Sequence, residues 1–346
     1  MSGRHDHSFS RGYHMRYTTR RTQDRQDGAP EVSRQKTPTS KRARSVARNA
    51  VVSFSAIGAR TDCDRHAVAL LGFLSKAEVD ANFRQAVFKT PNGEDPFELW
   101  RAAEIRRRGL PAVPPGAATP ISEDLHHLAE EVRRRKTYQR HYESQADYHF
   151  CTVPIEALIA PQWYADLDYV DQLKARLGPA PSTESAFRFA FVEGHINAPL
   201  ITANQVQFTS PGLDLFVDPT PIVQIVEDGS FTISVVAGSR PNYIQVALLD
   251  GRLVLVNGVH KVCALYALGF KTCFCALRVA TRLEETGLNL QATSLYRDEV
   301  FKSTRPALVT DFMDSNIAVP LAMKSMYQVM QVSINVGHIR VPALPN

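Results

Sequence analysis

Between residues 66 and 142 the apolar positions recur at the spacing of amphipathic helices. Ser75 opens a capping box that starts the first helix, and Asp95-Pro96 starts the second. A third helix begins after Ser122. The apolar face of the first helix is formed by Val79, Phe83 and Val87. We therefore predict a helical region over residues 66–142.

After Tyr148 the pattern changes to short apolar runs that are typical of strands. A strand is predicted around Val153, and a helix over Leu167–Leu177 ends at Gly178. Two Asp-Gly turns further along are flanked by β-rich runs, a pattern that predicts two hairpins. Their four strands are predicted at residues 222–226, 231–236, 243–249 and 253–256.

The position of the Asp-Gly turns predicts where polar residues gather. If the four strands form one up-and-down set, both turns lie at one end of the sheet. The loop 238–242 and the turn after the fourth strand then lie at the other end. The rim at that end is the candidate functional site, and it gathers Asp218, Arg240, Asn242, His260 and Lys261.

The turn Asn257-Gly258 joins the fourth strand to a helix predicted over residues 259–268. The first N–H groups of a helix have no partner within it, and a glycine lets a ligand approach them closely. His260 and Lys261 place positive charge where the helix dipole disfavours it, and a bound anion would reverse that penalty. The pattern favours a phosphate ligand; the alternative is that the turn is only a structural corner.

The same rim holds residue types that are used in catalysis. His260 is a candidate general acid or base, Asp218 its candidate partner, and Arg240 a candidate electrostatic clamp. No Ser-His-Asp order, P-loop, GxGxxG fingerprint or HExxH motif occurs in the chain. The sequence therefore does not decide between an enzyme and a binding protein.

Positive charge is concentrated at the N-terminus. Residues 1–50 hold twelve Lys and Arg against four Asp and Glu, so they carry +8, whereas the whole chain carries +5 and the remainder −3. Because this segment has few large apolar residues and no periodicity, it is predicted to be a disordered basic tail. Such a tail either binds nucleic acid through its charges or is a solvated extension.

Cysteine spacing and hydropathy indicate neither a zinc site nor a membrane protein. The cysteines lack the CxxC spacing of a zinc site, so no metal site is predicted. We expect buried, reduced thiols at Cys63, Cys151, Cys263, Cys273 and Cys275. No apolar run approaches the ~18 residues of a membrane span. The expected location is therefore the cytoplasm, with no membrane partner.

The order of elements after Tyr148 resembles the ParB/sulfiredoxin-like superfamily. The residues that carry the resemblance are Val153-Pro154-Ile155, Leu158-Ile159, the helix Leu167–Leu177, Pro221-Ile222-Val223, and Leu255 through Gly269. The one specific motif is Asn257 to Lys261, where the superfamily has an Asp/Asn-Gly-x-His/Arg-Arg turn that cradles nucleotide phosphates. The resemblance implies that Gly258 approaches a phosphate and that His260 and Lys261 donate to it.

The chain departs from the superfamily at several positions of this turn. Lys261 stands where arginine is usual, which replaces a two-pronged donor by a point charge. Val259 stands where sulfiredoxin has its reactive cysteine, so sulfur-reduction chemistry is not expected. The Glu-Arg-Arg turn and the following helix-turn-helix of ParB partition proteins are not evident. A repurposed member of the superfamily fits these differences best.

The predicted fold is therefore α+β. A ParB/sulfiredoxin-like mixed sheet with helices occupies residues 148–280, after the helical region and the basic tail, and an extension over 281–346 packs on the core. In the first functional hypothesis, a nucleotide or other phosphate ligand, such as a nucleoside triphosphate with Mg²⁺, binds at the rim. Its contacts are Asn257, Gly258, His260, Lys261, Arg240 and Asn242. In the second, a non-catalytic adaptor or DNA-associated protein uses the basic tail, and the ParB-like fold is a scaffold.

Overall fold

The structure, a computed structural model, has helices and mixed sheets, so the chain is α+β. It describes residues 51–143, 148–193, 200–201, 205–210, 215–218, 222–225, 231–234, 236–288, 295 and 302–335. The predicted basic tail, residues 1–50, lies outside the described residues.

Six of the seven described α-helices lie before residue 191. The α-helices are α1 (Lys76–Arg84), α2 (Pro96–Arg108), α3 (His126–Arg133), α4 (Lys136–Tyr138), α5 (Leu167–Leu177), α6 (Thr183–Ala190) and α7 (Val259–Ala267). A π-helical turn, Gln139–Glu143, follows α4. The 3-10 turns are Leu71–Phe73, Pro91–Gly93, Glu123–Leu125, Ile155–Ala157, Leu283–Thr286 and Val309–Met313.

The strands range from two to nineteen residues. They are β1 (Val51–Ala69), β2 (Phe88–Lys89), β3 (Thr119–Pro120), β4 (His149–Pro154), β5 (Leu158–Ile159), β6 (Tyr164–Asp166), β7 (Phe191–Val192), β8 (Leu200–Ile201), β9 (Gln205–Ser210), β10 (Leu215–Val217), β11 (Ile222–Ile225), β12 (Phe231–Ser234), β13 (Ala237–Ser239), β14 (Asn242–Tyr243), β15 (Gln245–Leu249), β16 (Arg252–Asn257), β17 (Thr272–Ala280) and β18 (Val319–Asn335).

Several helices begin and end where local sequence signals place them. The N–H of Ser75 donates to the Glu78 carboxylate at 2.6 Å, and the N–H of Glu78 donates to the Ser75 hydroxyl at 3.3 Å. Asp95 caps α2 through its side chain. The helix predicted over Leu167–Leu177 is confirmed, and it ends at Gly178 in a left-handed conformation, with φ of 84°.

The central sheet is mixed, with the strand order β3-β4-β17-β15-β16-β5. β17 is antiparallel to β4 and parallel to β15, and β15 forms an antiparallel hairpin with β16. β16 is parallel to the short β5. α7 connects β16 to β17, so the turn that precedes α7 lies at the end of β16.

The predicted up-and-down set of four strands is wrong, although both hairpins exist. β11 and β12 pair with each other in a separate two-stranded sheet, whereas β15 has β16 and β17 as neighbours. The physical reason is that α7 returns the chain so that β17 lies parallel to β15 and occupies the edge that the first hairpin would need. The predicted helical region also contributes strands, because β2 pairs with β18 and β3 pairs with β4.

Both faces of the central sheet are covered. Val246 of β15 belongs to the main core, whereas its neighbours Ala247 and Leu249 belong to a second buried cluster, as the two-residue alternation of a strand requires. On the main side α5 packs on α7, and α6 packs on β17. Leu308 completes the second cluster, where the backbone of Ala160 bonds to that of Ala307 at 2.9 Å.

Contacts divide the chain into two compact units. The larger contains residues 57–199 and 208–329, which include the central sheet and the seven helices above. In the smaller, the described residues are 51–56, 200–201, 205–207 and 330–335, and β8 pairs antiparallel with the start of β9. None of the helices in the described part of the chain combines the length and apolar character needed to span a membrane.

Candidate functional site

The turn that precedes α7 is shaped by Gly258, which adopts φ of 98°. Its N–H donates to the side-chain oxygen of Asn257 at 2.8 Å, and its carbonyl accepts the N–H of Val262 at 3.0 Å. A Cβ at this position would lie 3.0 Å from Cγ1 and 3.1 Å from Cα of Ile244. Both the backbone conformation and the packing against Ile244 therefore require glycine.

Replacement of Gly258 by Ala is expected to lower the free energy of unfolding by about 2–4 kcal/mol. A left-handed conformation costs an L-residue about 1–2 kcal/mol, and the Ile244 contact adds strain. Gly269→Ala is the matched control, because Gly269 also has positive φ (90°) but open space around its Cβ position. Urea denaturation of both variants measures the difference; equal losses would mean that the Ile244 contact costs nothing.

His260 lies on the α5 side of α7. Its Nε2 accepts the backbone N–H of Asp166 at 3.0 Å, and its ring meets the edge of Tyr169 at 5.3 Å. Arg65 is close by, with Nη1 3.0 Å from the Asp166 carboxylate. Burial, assisted by the positive charge of Arg65, lowers the pKa of His260 to about 4. His260 is therefore neutral at pH 7, and its partner is Asp166 where the sequence suggested Asp218.

Lys261 points to the other side of α7 and is 3% exposed. Its Nζ donates to the carbonyl oxygen of Asn242 and lies 3.5 Å from the carbonyl oxygen of Ala190. Asn242, at the end of the loop 238–242, therefore contacts the first turn of α7. Burial lowers the pKa of Lys261 to about 7, against the opposing effect of the Glu193 carboxylate.

The first turn of α7 carries less positive charge than the sequence predicted. We expected two cations at the positive end of the helix dipole, with a bound anion to offset them. The lowered pKa values of His260 and Lys261 reduce that charge without a ligand. Because Gly258, Val259 and Lys261 are buried, a ligand of this region would contact the surface next to the turn.

Arg240 and Asp218 belong to a two-stranded ladder, where they lie at opposite ends. In this ladder Leu215 is opposite Ser239, and the N–H of Asp218 donates to the carbonyl of Val236 at 2.8 Å. Four residues of strand separate the two ends, which is roughly 13 Å. The predicted rim therefore does not gather Asp218 with Arg240, because the ladder between them is extended.

Glu193 forms a polar cluster beside Lys261 that sequence reasoning missed. One carboxylate oxygen accepts the hydroxyl of Tyr243 at 2.8 Å and lies 3.5 Å from Nη1 of Arg135. The same Nη1 donates to the carbonyl of Phe191 at 2.5 Å. The other carboxylate oxygen of Glu193 is buried and has no hydrogen-bond partner among the residues that the structure describes. We call Arg135, Glu193, Tyr243 and Lys261 the Glu193 cluster.

His141 adjoins this cluster and carries a second unpaired buried atom, Nε2. Its ring meets the edge of Phe216 at 4.6 Å. Burial lowers the pKa of His141, and the positive charges of Arg240 and Arg140 lower it further. The adjacent Tyr142 stacks on Tyr243 of the Glu193 cluster, with ring centroids 5.3 Å apart. His141 therefore lies in the electrostatic field of both the exposed Arg240 and Glu193.

The missed residues carry no local signal. Arg135 belongs to a run of basic residues that a helix C-terminus is sufficient to explain. Its contacts with Phe191 and Glu193 span 56 and 58 residues of sequence. The pairing of Tyr243 with Phe191 and of Asn242 with Val192 brings Tyr243 close to Glu193, and the same two strands are distant in sequence.

The thiols and the other side chains that could bind a metal do not form a metal-binding group within the described residues. The thiols at Cys151, Cys263, Cys273 and Cys275 are free and buried, as expected, and burial raises the pKa of Cys263 and Cys273 to about 12. The side chain of Cys63 lies outside the described residues. Throughout the described ranges, no three His, Cys, Asp or Glu residues form a group that could hold a metal ion.

Comparisons with protein-family profiles, with curated proteins and with solved structures find no match for this chain.

Proposed function

We propose that this chain binds a phosphate-bearing ligand, with a nucleoside triphosphate as the first candidate, at the surface next to the Glu193 cluster, with Arg240 and His141 as its contacts. This surface lies beside the turn that precedes α7, on the side of Asn242. Of the predicted site, the proposal keeps Arg240 and Asn242 at the surface, whereas the buried Lys261 lies behind it and donates to the carbonyl oxygen of Asn242. In this proposal Asn257 and Gly258 shape the turn and do not contact the ligand. His260 contacts the α5 side of the protein instead.

The observation that carries the proposal is the buried Nε2 of His141, which has no hydrogen-bond partner among the described residues and lies near Arg240 and Arg140. A buried polar atom without a partner costs about 1–3 kcal/mol, so such an atom calls for an explanation. The positive charges of Arg240 and Arg140 act on the ring and lower the pKa of His141, whereas the Glu193 carboxylate acts in the opposite direction. An anionic oxygen would accept a hydrogen bond from the ring and from either arginine.

The order of elements also supports the proposal. β4, β5, α5, β11, the β15–β16 hairpin, α7 and β17 occur along the chain in the order that the ParB/sulfiredoxin-like resemblance implies, although β11 pairs with β12 in a separate sheet. We propose that residues 148–280 are a repurposed domain of that kind. In it the phosphate contacts move from the buried helix start to the neighbouring arginines. The DNA-associated alternative rests on residues 1–50, which lie outside the described residues, and it remains a prediction.

Calorimetric titration tests the proposal with ATP, CTP, GTP and inorganic phosphate, each with and without Mg²⁺. We expect saturable binding that weakens about tenfold or more in Arg240→Gln, because a charge-assisted hydrogen bond contributes about 1.5 kcal/mol or more. The ring signals of His141 report the same event by NMR, since a nearby anion raises its pKa. Product analysis of the binding mixtures then decides whether the ligand is turned over.

Arg101→Gln is the matched control, because it removes the same charge from an exposed arginine that contacts Glu98 within α2. Equal weakening by both variants would show that only net charge matters. Absence of saturable heat for every ligand would reject the proposal. A circular-dichroism spectrum of Arg240→Gln excludes loss of fold as the cause.

A further inference from the structure

A cavity of about 850 Å³ lies between α3 and one edge of the central sheet. Its surface is mostly apolar, and its size falls in the range of small-molecule sites, about 300–1,000 Å³. None of the Glu193 cluster, Arg240 or His141 lines it. Any ligand of this cavity is therefore separate from the phosphate ligand proposed above.

One face of α3 forms the first wall of the cavity. His126, Ala129, Glu130 and Arg133 line it, and their spacing of three and four residues places them on one side of the helix. Ala129 is buried at the middle of this face, whereas the three charged or polar residues around it are exposed. The small side chain of Ala129 leaves the space open.

The second wall comes from three adjacent strands. Phe150 lies on β4, Leu277 on β17 and Leu248 on β15, and Ile121 extends this wall beyond β3. Phe150 and Leu277 are buried in the main core. The cavity thus has an apolar floor that continues into the core of the protein.

The positive group of the cavity is Arg133. Its guanidinium carbon lies 5.0 Å from the centroid of the Phe150 ring, and Nη1 contacts the Glu130 carboxylate. The Glu130 pair is exposed, so it contributes little, and a guanidinium has further N–H donors in a planar fork. Arg133 therefore has donors for a second carboxylate at the edge of an apolar wall. His126 and the exposed His149 stand at the same cavity.

We propose that this cavity binds a straight-chain alkyl carboxylate, with the alkyl chain on the apolar floor and the carboxylate on Arg133. The mostly apolar lining favours an alkyl chain. The single arginine among the lining residues favours one anionic end, which it would hold with paired hydrogen bonds.

Calorimetry with hexanoate, octanoate and decanoate tests the alkyl chain. Each buried methylene is expected to tighten binding by about fourfold, until the chain fills the cavity. The ligands are used at concentrations at which they are monomeric. Decanol, which has the chain without the carboxylate, is expected to bind at least about tenfold more weakly than decanoate.

Two variants and one control test whether the ligand binds in this cavity with its carboxylate on Arg133. Arg133→Gln is expected to weaken decanoate binding about tenfold and to leave decanol binding unchanged. Ala117→Trp places a large side chain at an exposed lining position and is expected to weaken both ligands. Arg134→Gln is the control, because Arg134 is the adjacent exposed arginine and does not line the cavity.

The binding data for the ligands and the two arginine variants either support or overturn the carboxylate proposal. Chain-length dependence with loss in Arg133→Gln and retention in Arg134→Gln supports the proposal. Equal loss in both arginine variants, equal binding of decanol and decanoate, or no saturable binding of decanoate would overturn it. None of these results depends on whether nucleotides bind at Arg240, so failure of one proposal leaves the other intact.

Discussion

Replacement of Lys261 by Met is expected to remove a rise in stability that the wild-type protein shows between about pH 7 and pH 10. In the folded protein burial lowers the pKa of Lys261 from 10.5 to about 7. In that pH range the unfolded chain binds a proton at Lys261 that the folded protein does not, so the free energy of unfolding rises with pH. Each pKa unit corresponds to about 1.4 kcal/mol, so the full rise is on the order of 4–5 kcal/mol.

The measurement is urea denaturation of both proteins at intervals from pH 6 to pH 10. Buried acids act in the opposite direction: the raised pKa values of Cys263 and Cys273 lower stability at high pH. These contributions are present in both proteins and cancel in the difference. Methionine keeps the length and volume of the side chain, so the core stays filled.

Lys174→Met is the matched control, because Lys174 is partly exposed and pairs with Asp171 within α5. Its stability curve is expected to run parallel to that of the wild type. If the Lys261→Met curve is also parallel, Lys261 keeps an ordinary pKa and its ammonium group is charged in the folded protein. That outcome would contradict the statement that burial lowers the pKa of Lys261.

Replacement of Asp311 by Ala is expected to lower the free energy of unfolding by about 3–5 kcal/mol, because it leaves Arg305, whose side chain is 12% exposed, without its carboxylate partner. Asp311 is 2% exposed. Its two carboxylate oxygens accept Nη1 and Nη2 of Arg305 at 3.0 and 2.5 Å, and one of them also accepts the N–H of Leu308 at 2.8 Å. Leu308 itself packs in the second buried cluster of the sheet.

Thermal and urea denaturation measure this loss, with Asp171→Ala as the control for an exposed carboxylate in an ion pair. The control is expected to change stability by less than about 1 kcal/mol. The double variant Arg305→Met/Asp311→Leu is expected to recover much of the loss, because it removes both charges and keeps apolar volume. A small loss in Asp311→Ala would show that water reaches Arg305 and replaces the carboxylate.

Local sequence signals predicted the ends of several helices because the responsible contacts are local. Ser75 and Glu78 are three residues apart, and Gly178 directly follows α5. The Asp-Gly hairpins were predictable for the same reason. The helix α6 was not predicted even though Ser182 caps it, because the stretch from 180 to 217 is only weakly patterned.

The long strands β1 and β18 were not predicted at their full length of 19 and 17 residues. A strand needs a partner, and the partners of these strands are distant in sequence. Val68 of β1 lies opposite Ala165, and Met323 of β18 lies opposite Phe88. Periodicity within one segment does not reveal such pairs.

The sequence by itself determined that the chain is α+β, that α7 starts at Asn257-Gly258, and that the thiols at Cys151, Cys263, Cys273 and Cys275 are buried. These properties depend on neighbouring residues and on apolar content. Only the tertiary structure decided that His260 bonds to Asp166, that Lys261 meets Asn242 and Ala190, and that Arg135, Glu193 and Tyr243 form one cluster. Strand pairing and burial set these contacts and the resulting pKa values, because they join segments that lie far apart along the chain.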